Sequence, residues 1–288
     1  MKNLLLLLLL TNTLFGALSD TIHSSASTYI ETKSFSSSLQ KNDSKVYGVG
    51  ADIHHNHSAY KITYEYTITD TKQPPLTKDL KVDKLFAKYA YEFSDSFEAN
   101  LNYLSVLNDN IAITDGGDIY GLGLTYNLNK FLTTNFTQFY SDYDDFNVYQ
   151  SDLRIDYKTK LNEIKVKLSS ITKYITIDEE NINSFTKNTD DEYLTSGFKL
   201  HAHYKSYHFG AGAYFGKRVF AIMNDGFKVQ HHAMEIKETY AIGFGKIIPP
   251  FVLRAQYIYQ LADELGSKKG INKDVRVDAY RLMVNYKF

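Results

Sequence analysis

The chain has 288 residues, which is enough for one large all-β domain or two small ones. Its formal net charge of -1 at pH 7 provides no overall field that would attract nucleic acid or an acidic surface. It contains no cysteine, which excludes a disulfide framework and a thiolate metal site.

Residues 1–19 have the composition of a secretory signal peptide. A basic Lys2 precedes a run of leucines over residues 4–10, and small residues follow as far as Ser19. The run is too short for a membrane-spanning helix, which needs about 18 to 20 apolar residues, and no such run occurs later. The sequence therefore predicts export, cleavage after Ser19, and one mature domain over residues 20–288.

From about residue 26 onward, apolar and polar residues alternate in segment after segment. In "YKITYEYTI", for example, Tyr60, Ile62 and Tyr64 share one face and polar residues occupy the other. A period of two predicts strands with one apolar face. The clear segments are 46–53, 60–68, 85–93, 97–107, 120–128, 153–158, 164–174, 194–204, 209–215, 240–246, 251–261 and 279–288, and the weak ones are 26–38 and 131–142.

The connectors alternate between tight turns and longer polar loops. The longer ones are predicted at 70–82, 108–117, 176–192, 218–236 and 263–274, with short exceptions at 39–45 and 141–146. Short turns at one end and long loops at the other are typical of a transmembrane barrel. The sequence therefore predicts an all-β, antiparallel up-and-down β-barrel of about 14 strands, with about 12 or 16 as alternatives.

The last strand reads "AYRLMVNYKF" and ends on an aromatic residue. Large apolar side chains occupy every second position of it: Tyr280, Leu282, Val284, Tyr286 and Phe288. This ending resembles the C-terminal signal of bacterial outer-membrane β-barrels, and the alternation over 26–288 resembles the same superfamily, within which porin-like channels fit best. The resemblance implies an outer-membrane location, contact with membrane lipid, and recognition of this strand by the barrel-assembly machinery. It leaves a homo-oligomer open, and the sequence indicates no cofactor.

The strand parity assigns more basic than acidic residues to the barrel interior. The acidic set is Asp52, Glu65, Glu92, Glu98, Asp152 and Asp156, and the basic set is Lys61, Lys84, Lys88, Arg154, Lys165, Lys167, Lys173, Lys199, Lys205, Arg254, Arg281 and Lys287. Basic pore linings favour anions. The predicted function is therefore a channel for passive diffusion of small polar or anionic solutes. The alternative is that these charges are solvated or paired and select nothing.

Three histidines are candidates for a separate site. His201 and His203 share the interior face, and a two-residue turn after Tyr204 would place His203 directly opposite His208. Three imidazoles in this arrangement fit a transition-metal or proton-sensitive site. Three solvated histidines without a ligand are the simpler interpretation.

Two further functions stay open at this stage. One is a non-conducting barrel whose loops bind a partner, and loops 176–192 and 218–236 are the candidates for closing the pore. The other is a barrel hydrolase, although the sequence contains no HExxH, GxSxG or Walker motif.

Overall fold

The computed structural model describes residues 22–72, 78–108, 113–179, 188–224, 226, 228–230, 234–267 and 270–288. Within them, fourteen strands form one closed antiparallel barrel in which each strand pairs with the preceding and the following barrel strand, and a two-stranded hairpin forms a separate small sheet. No helix in this part of the chain is long and apolar enough to cross a membrane. The strands are β1 (Ile22–Ser36), β2 (Lys41–His55), β3 (Ser58–Thr71), β4 (Leu80–Ser94), β5 (Phe97–Asn108), β6 (Gly117–Asn127), β7 (Leu132–Tyr143), β8 (Phe146–Leu161), β9 (Ile164–Glu179), β10 (Glu192–Tyr204), β11 (Tyr207–Arg218), β12 (Ile222–Met223), β13 (Lys228–Val229), β14 (Met234–Ile248), β15 (Phe251–Ser267) and β16 (Gly270–Lys287).

The predicted all-β up-and-down barrel of fourteen strands is confirmed, and β1 and β16 close it. Their ladder runs from the pair Ser25–Lys287 to the pair Ser36–Arg276. The amide of Phe288 also donates to the carbonyl of Ser24 over 3.1 Å. Closure satisfies the backbone groups that an open edge would leave unpaired. The two segments with weak alternation, 26–38 and 131–142, are β1 and β7, so pairing on both sides compensates for their weak pattern.

The connectors at one end of the barrel, called the short-turn end below, are all tight turns. The other end, called the long-loop end, carries the long connectors, together with short ones at 37–40 and 144–145. The prediction of a long loop at 263–274 is wrong, because β15 continues to Ser267 and β16 begins at Gly270. Register shifts around Glu264 displace the side-chain alternation there. The backbone pairing of β15 with β16 therefore continues beyond the point where the alternation of apolar and polar residues ends.

Some predictions fall outside the described residues. The predicted signal peptide at 1–19 lies there, as do residues 180–187 of the predicted loop 176–192.

The apolar parity of the barrel strands points outward. Leu194, Leu282 and Tyr280 are 63%, 62% and 61% exposed, whereas their neighbours on the opposite parity are mostly buried or half-buried. An exterior of exposed leucine, isoleucine and aromatic side chains is the surface that a membrane barrel presents to lipid.

The segment that follows β11 folds back into the barrel. Val219, Phe220, Ala221 and Ile222 are at most 1% exposed and form one apolar cluster with inward-facing residues of β4 to β10. The wall residues of this cluster are Leu80, Val82, Phe86, Leu104, Val106, Ile119, Phe139, Tyr143, Phe146, Val148, Ile175, Ile177 and Tyr193, with Leu265 of β15. The long-loop half of the interior is therefore an apolar core on this side, and residues 219–230, called the inner hairpin below, fill it.

Replacing Phe220 with alanine should loosen the inner hairpin and leave the barrel closed. Removing a fully buried ring costs about 3 kcal/mol or more of packing free energy, and the strand ladders do not involve this residue. We expect faster limited proteolysis at Lys228 in the folded, detergent-solubilised protein. Phe198→Ala is the matched control, because Phe198 is 60% exposed on the outer face. Equal cleavage of the Phe220 variant and the unaltered protein would show that the apolar cluster does not hold the hairpin.

Candidate pore constriction and cationic lumen

One end of the inner hairpin is fixed to β8 and β9 through the backbone of Ile222. Its amide donates to Gln150 Oε1 over 2.8 Å, and its carbonyl accepts from Gln150 Nε2 at 2.8 Å and from Lys173 Nζ at 2.9 Å. Lys173 also forms an ion pair with Asp152. These bonds specify one position for the hairpin, since they pair its backbone groups where water cannot do so.

The other end of the hairpin is fixed to β1 and β3 by a buried charge cluster. Lys228 Nζ lies 3.3 Å from Glu31 Oε1 and 3.9 Å from Glu65 Oε2. Glu31, only 1% exposed, accepts from Arg281 Nε at 2.7 Å and faces Lys33 Nζ at 3.4 Å. Burial, together with the nearby Arg281 charge, lowers the pKa of Lys228 to about 8. Its ammonium therefore stays mostly charged at neutral pH.

These two attachments lie on opposite walls. In the closed order of fourteen strands, β1 and β8 are seven positions apart, which is half the circumference. The inner hairpin therefore crosses the lumen and narrows it. The sequence interpretation named loop 218–236 as a candidate for this role and missed the specific contacts. The signal that could have found them is the apolar run "VFAIM" within a loop predicted to be polar.

A second group of charges lies at the short-turn end. Lys165, His203, His208 and Arg254 occupy one rung of the sheet, which runs from β9 through β10, β11 and β14 to β15. Within the described part of the chain, neither Lys165 nor Arg254 has an ion-pair partner, and the same holds for Lys287. The cations here are thus not neutralised as they are around the hairpin.

The adjacent rung carries more basic residues. Lys158, Lys167 and His201 pair across β8, β9 and β10. Asp156 is the acid nearest to them, 3.0 Å from Lys167 Nζ and 3.3 Å from Arg154 Nε. The sequence interpretation missed Lys158 and Lys160, although continuing the parity of β8 beyond Asp156 places both on the inner face.

The remaining predicted pore-lining residues differ in their surroundings. Lys61 forms an ion pair with Asp52 at 3.3 Å, and Lys88 pairs with Lys61 in the β3–β4 ladder. Lys199 Nζ donates to Asn224 Oδ1 of the inner hairpin at 3.4 Å. Lys205 is not on a strand: it occupies the β10–β11 turn with φ of 52°, and its ammonium lies 5.0 Å from the ring centroid of the outward-facing Tyr204.

The turn at Lys205 and Ser206 does place His203 opposite His208. Their rings stack at a centroid distance of 4.3 Å and an interplanar angle of 5°. Parallel stacking sets ring faces against each other, whereas metal ligands direct nitrogens at one point. Among the residues that the structure describes, no group of three or more histidine, aspartate or glutamate side chains could hold a metal ion. The metal hypothesis for His201, His203 and His208 therefore gains no support.

Comparison with solved structures gives the fold class. The chain resembles the outer membrane protein Omp33 of Acinetobacter baumannii (TM-score 0.51, 10% identity, covering 93% of this chain and 100% of that one). It also resembles the toluene transporter TbuX of Ralstonia pickettii (0.53, 10%, covering 94% and 90%) and a bacterial polysaccharide outer membrane secretin (0.55, 8%, covering 91% and 98%). The chain has the fold of a bacterial outer-membrane β-barrel. No protein-family model matches it, and neither does any protein of curated function.

Glu31→Gln should destabilise the barrel measurably. The substitution leaves Lys33, Lys228 and Arg281 with one counter-charge fewer in a buried site, and breaking a buried pair costs about 3 kcal/mol or more. Urea unfolding in detergent measures the change. Asp52→Asn is the control: it removes the partner of Lys61, both side chains are partly exposed, and the loss should stay below about 1 kcal/mol. Equal effects of the two variants would contradict a structural role for the buried cluster.

Proposed function

We propose that this chain is an outer-membrane channel through which small polar or anionic solutes diffuse passively. The observation that carries the proposal is a set of cations on the inner face at the short-turn end that have no ion-pair partner among the described residues: Lys165, Arg254 and Lys287. Such charges bias which ions enter a pore, whereas ion pairs contribute little net field. The inner hairpin narrows the lumen, so solutes pass through the restricted space between the hairpin and the wall that carries Arg254.

The proposal includes a location and an orientation. Residues 1–19 direct export, and the short-turn end, where β1 begins and β16 ends, faces the periplasm. The assembly machinery recognises the final strand from Tyr280 to Phe288. The apolar outer face then contacts lipid. A homo-oligomer stays a prediction.

The known relatives in fold support a channel but leave the solute open. One is named as a toluene transporter and another as a polysaccharide secretin. The interior of the present chain, by contrast, carries charged side chains at the short-turn end. Such a lining suits ions and polar solutes better than apolar ones.

Reconstitution into a planar bilayer under a KCl gradient should give discrete conductance steps with a reversal potential that favours chloride. Reversing two unpaired cations together, by Lys165→Glu and Arg254→Glu, should move this potential towards potassium, because the local field changes sign. Lys246→Glu is the control: Lys246 lies at the same end, but on the outer face against Tyr207. An unchanged preference in the double variant would contradict the assignment of these residues to the pore.

The inner hairpin favours a second candidate function. Because it crosses the lumen between β1 and β8, the barrel could be closed at rest and serve to bind a partner through its loops. We propose no catalytic role.

Deleting residues 219–230 distinguishes the two candidates. If the barrel conducts at rest, the deletion should raise single-channel conductance about two-fold or more, since the constriction is removed. If the intact protein shows no steps and the deletion variant does, the closed-barrel candidate is correct. Heat-modifiable migration on gels checks that both proteins are folded barrels.

A further inference from the structure

A cavity of about 610 Å³ lies inside the barrel between the inner hairpin and strands β10, β11, β14, β15 and β16. Its wall on β11 and β14 consists mainly of glycine: Gly210 pairs with Gly243, and Gly212 and Gly245 lie on neighbouring rungs. Between Gly210 and Tyr214, this wall turns only one small side chain into the lumen, the methyl group of Ala241 opposite Gly212. It is therefore a smooth backbone surface about 13 Å long between Gly210 and Tyr214, on which a flat or extended molecule could lie.

The charges around this cavity are almost all positive. Among the described residues, Glu31 is the acid that lines it, and that carboxylate is already shared by Lys33, Lys228 and Arg281. A second carboxylate, Glu65, pairs with Lys84 and lies 3.9 Å from Lys228. The lysines and arginines that line it are Lys33, Lys84, Lys199, Arg218, Lys228, Arg254 and Arg281. The cavity therefore has a positive potential that its own carboxylate does not cancel.

Arg218 differs from the other cations around the cavity because it is buried without a counter-charge in the described part of the chain. It is 1% exposed, and its Nη2 donates to the hydroxyl of Thr239 while the guanidinium lies 5.5 Å from the ring centroid of Tyr214. Its Nε and Nη1 atoms have no hydrogen-bond partner, and no carboxylate pairs with it among the described residues. A buried cation without a counter-charge is unfavourable. An anion in the adjacent cavity would supply the missing charge.

We propose that this cavity is a binding site for a small organic oxyanion, which carries carboxylate or phosphate groups on an uncharged body. This inference rests on the proposed function, since it places a saturable site on the path of the solute. Arg254, the unpaired guanidinium at the short-turn side, contacts the oxyanion. The glycine wall holds the uncharged body, and the charge of Arg218, whose side chain also lines the cavity, attracts the anion.

Substituting a glycine of this wall changes the shape of the cavity and leaves every charge around it in place. A Cβ atom at Gly243 would come no closer than 3.4 Å to the carbonyl oxygen of Ala255, and one at Gly210 no closer than 3.6 Å to His201. Both distances are ordinary van der Waals contacts, so the fold tolerates a side chain at either position. Gly243→Leu should fill the cavity and keep the cationic lining.

The first test measures the chloride current through single channels at rising concentrations of succinate, and separately of inorganic phosphate. We expect a saturable reduction of the current. The apparent dissociation constant should rise about tenfold or more in Gly243→Leu and in Arg254→Gln. The matched control is Ala99→Leu, a similar enlargement on the outer face of β5 opposite the exposed Leu124 and away from the cavity, which should leave succinate block unchanged.

A second measurement does not depend on conductance. Succinate should raise the thermal unfolding temperature of the detergent-solubilised protein, and the rise should be smaller in Arg218→Met, which removes the buried charge. An effect of phosphate but not of succinate would mean that the site needs only the oxyanion and would overturn the role of the glycine wall.

The outcomes separate this inference from the proposed function. A conducting, anion-preferring channel with neither saturable block nor thermal stabilisation would overturn the binding site and leave the channel intact. Thermal stabilisation that Gly243→Leu abolishes, in a protein that never conducts, would support the site and contradict the channel. Identical block in Gly243→Leu and in the unaltered protein would place binding elsewhere and overturn the inference.

Discussion

The interior arrangement of this barrel depends on one buried carboxylate. Glu31 on β1 is surrounded by Lys33, Arg281 and Lys228, and Lys228 is the one among them that comes from the inner hairpin. A closed barrel does not by itself bring any loop into its lumen. The attraction between Lys228 and Glu31, added to the packing of Phe220 and Ile222 on the opposite wall, keeps the hairpin across the pore. With either attachment alone, one end of the hairpin would be held at one wall and the other end would be free to move.

The hairpin divides the interior into two regions of different chemistry. On the long-loop side, the lumen contains an apolar core and the ion pairs around Glu31 and Asp152, together with Arg218, which has no carboxylate partner among the described residues. On the short-turn side, Lys165, Arg254 and Lys287 lie on the inner face and have no ion-pair partner among the described residues. In the proposed channel, a solute would therefore meet a steric restriction at the hairpin and an electrostatic attraction at these cations. Conductance and selectivity would then depend on different residues.

Much of the fold could be predicted from the sequence because outward-facing positions obey a simple rule. Strands that face lipid must be apolar on one parity, and Tyr60, Ile62 and Leu282 follow that rule. The rule fails where the inner face is also apolar. Val82, Leu104 and Ile119 face inward and contact the hairpin rather than water, and a local pattern cannot reveal that a segment more than a hundred residues later covers them. It also fails at the bulges of β15, where the alternation shifts by one position.

The sequence by itself determined the closed barrel, the outward face of each strand and the general excess of interior cations, since each follows from residues a few positions apart. Only the tertiary structure decided which of those cations are neutralised. Lys173 and Arg281 have partners, whereas Arg254 and Arg218 have no carboxylate partner among the described residues. Pairing depends on distances of 3 to 4 Å between residues far apart in the chain. Strand register and the course of the inner hairpin set those distances, and a period-two pattern contains no information about either.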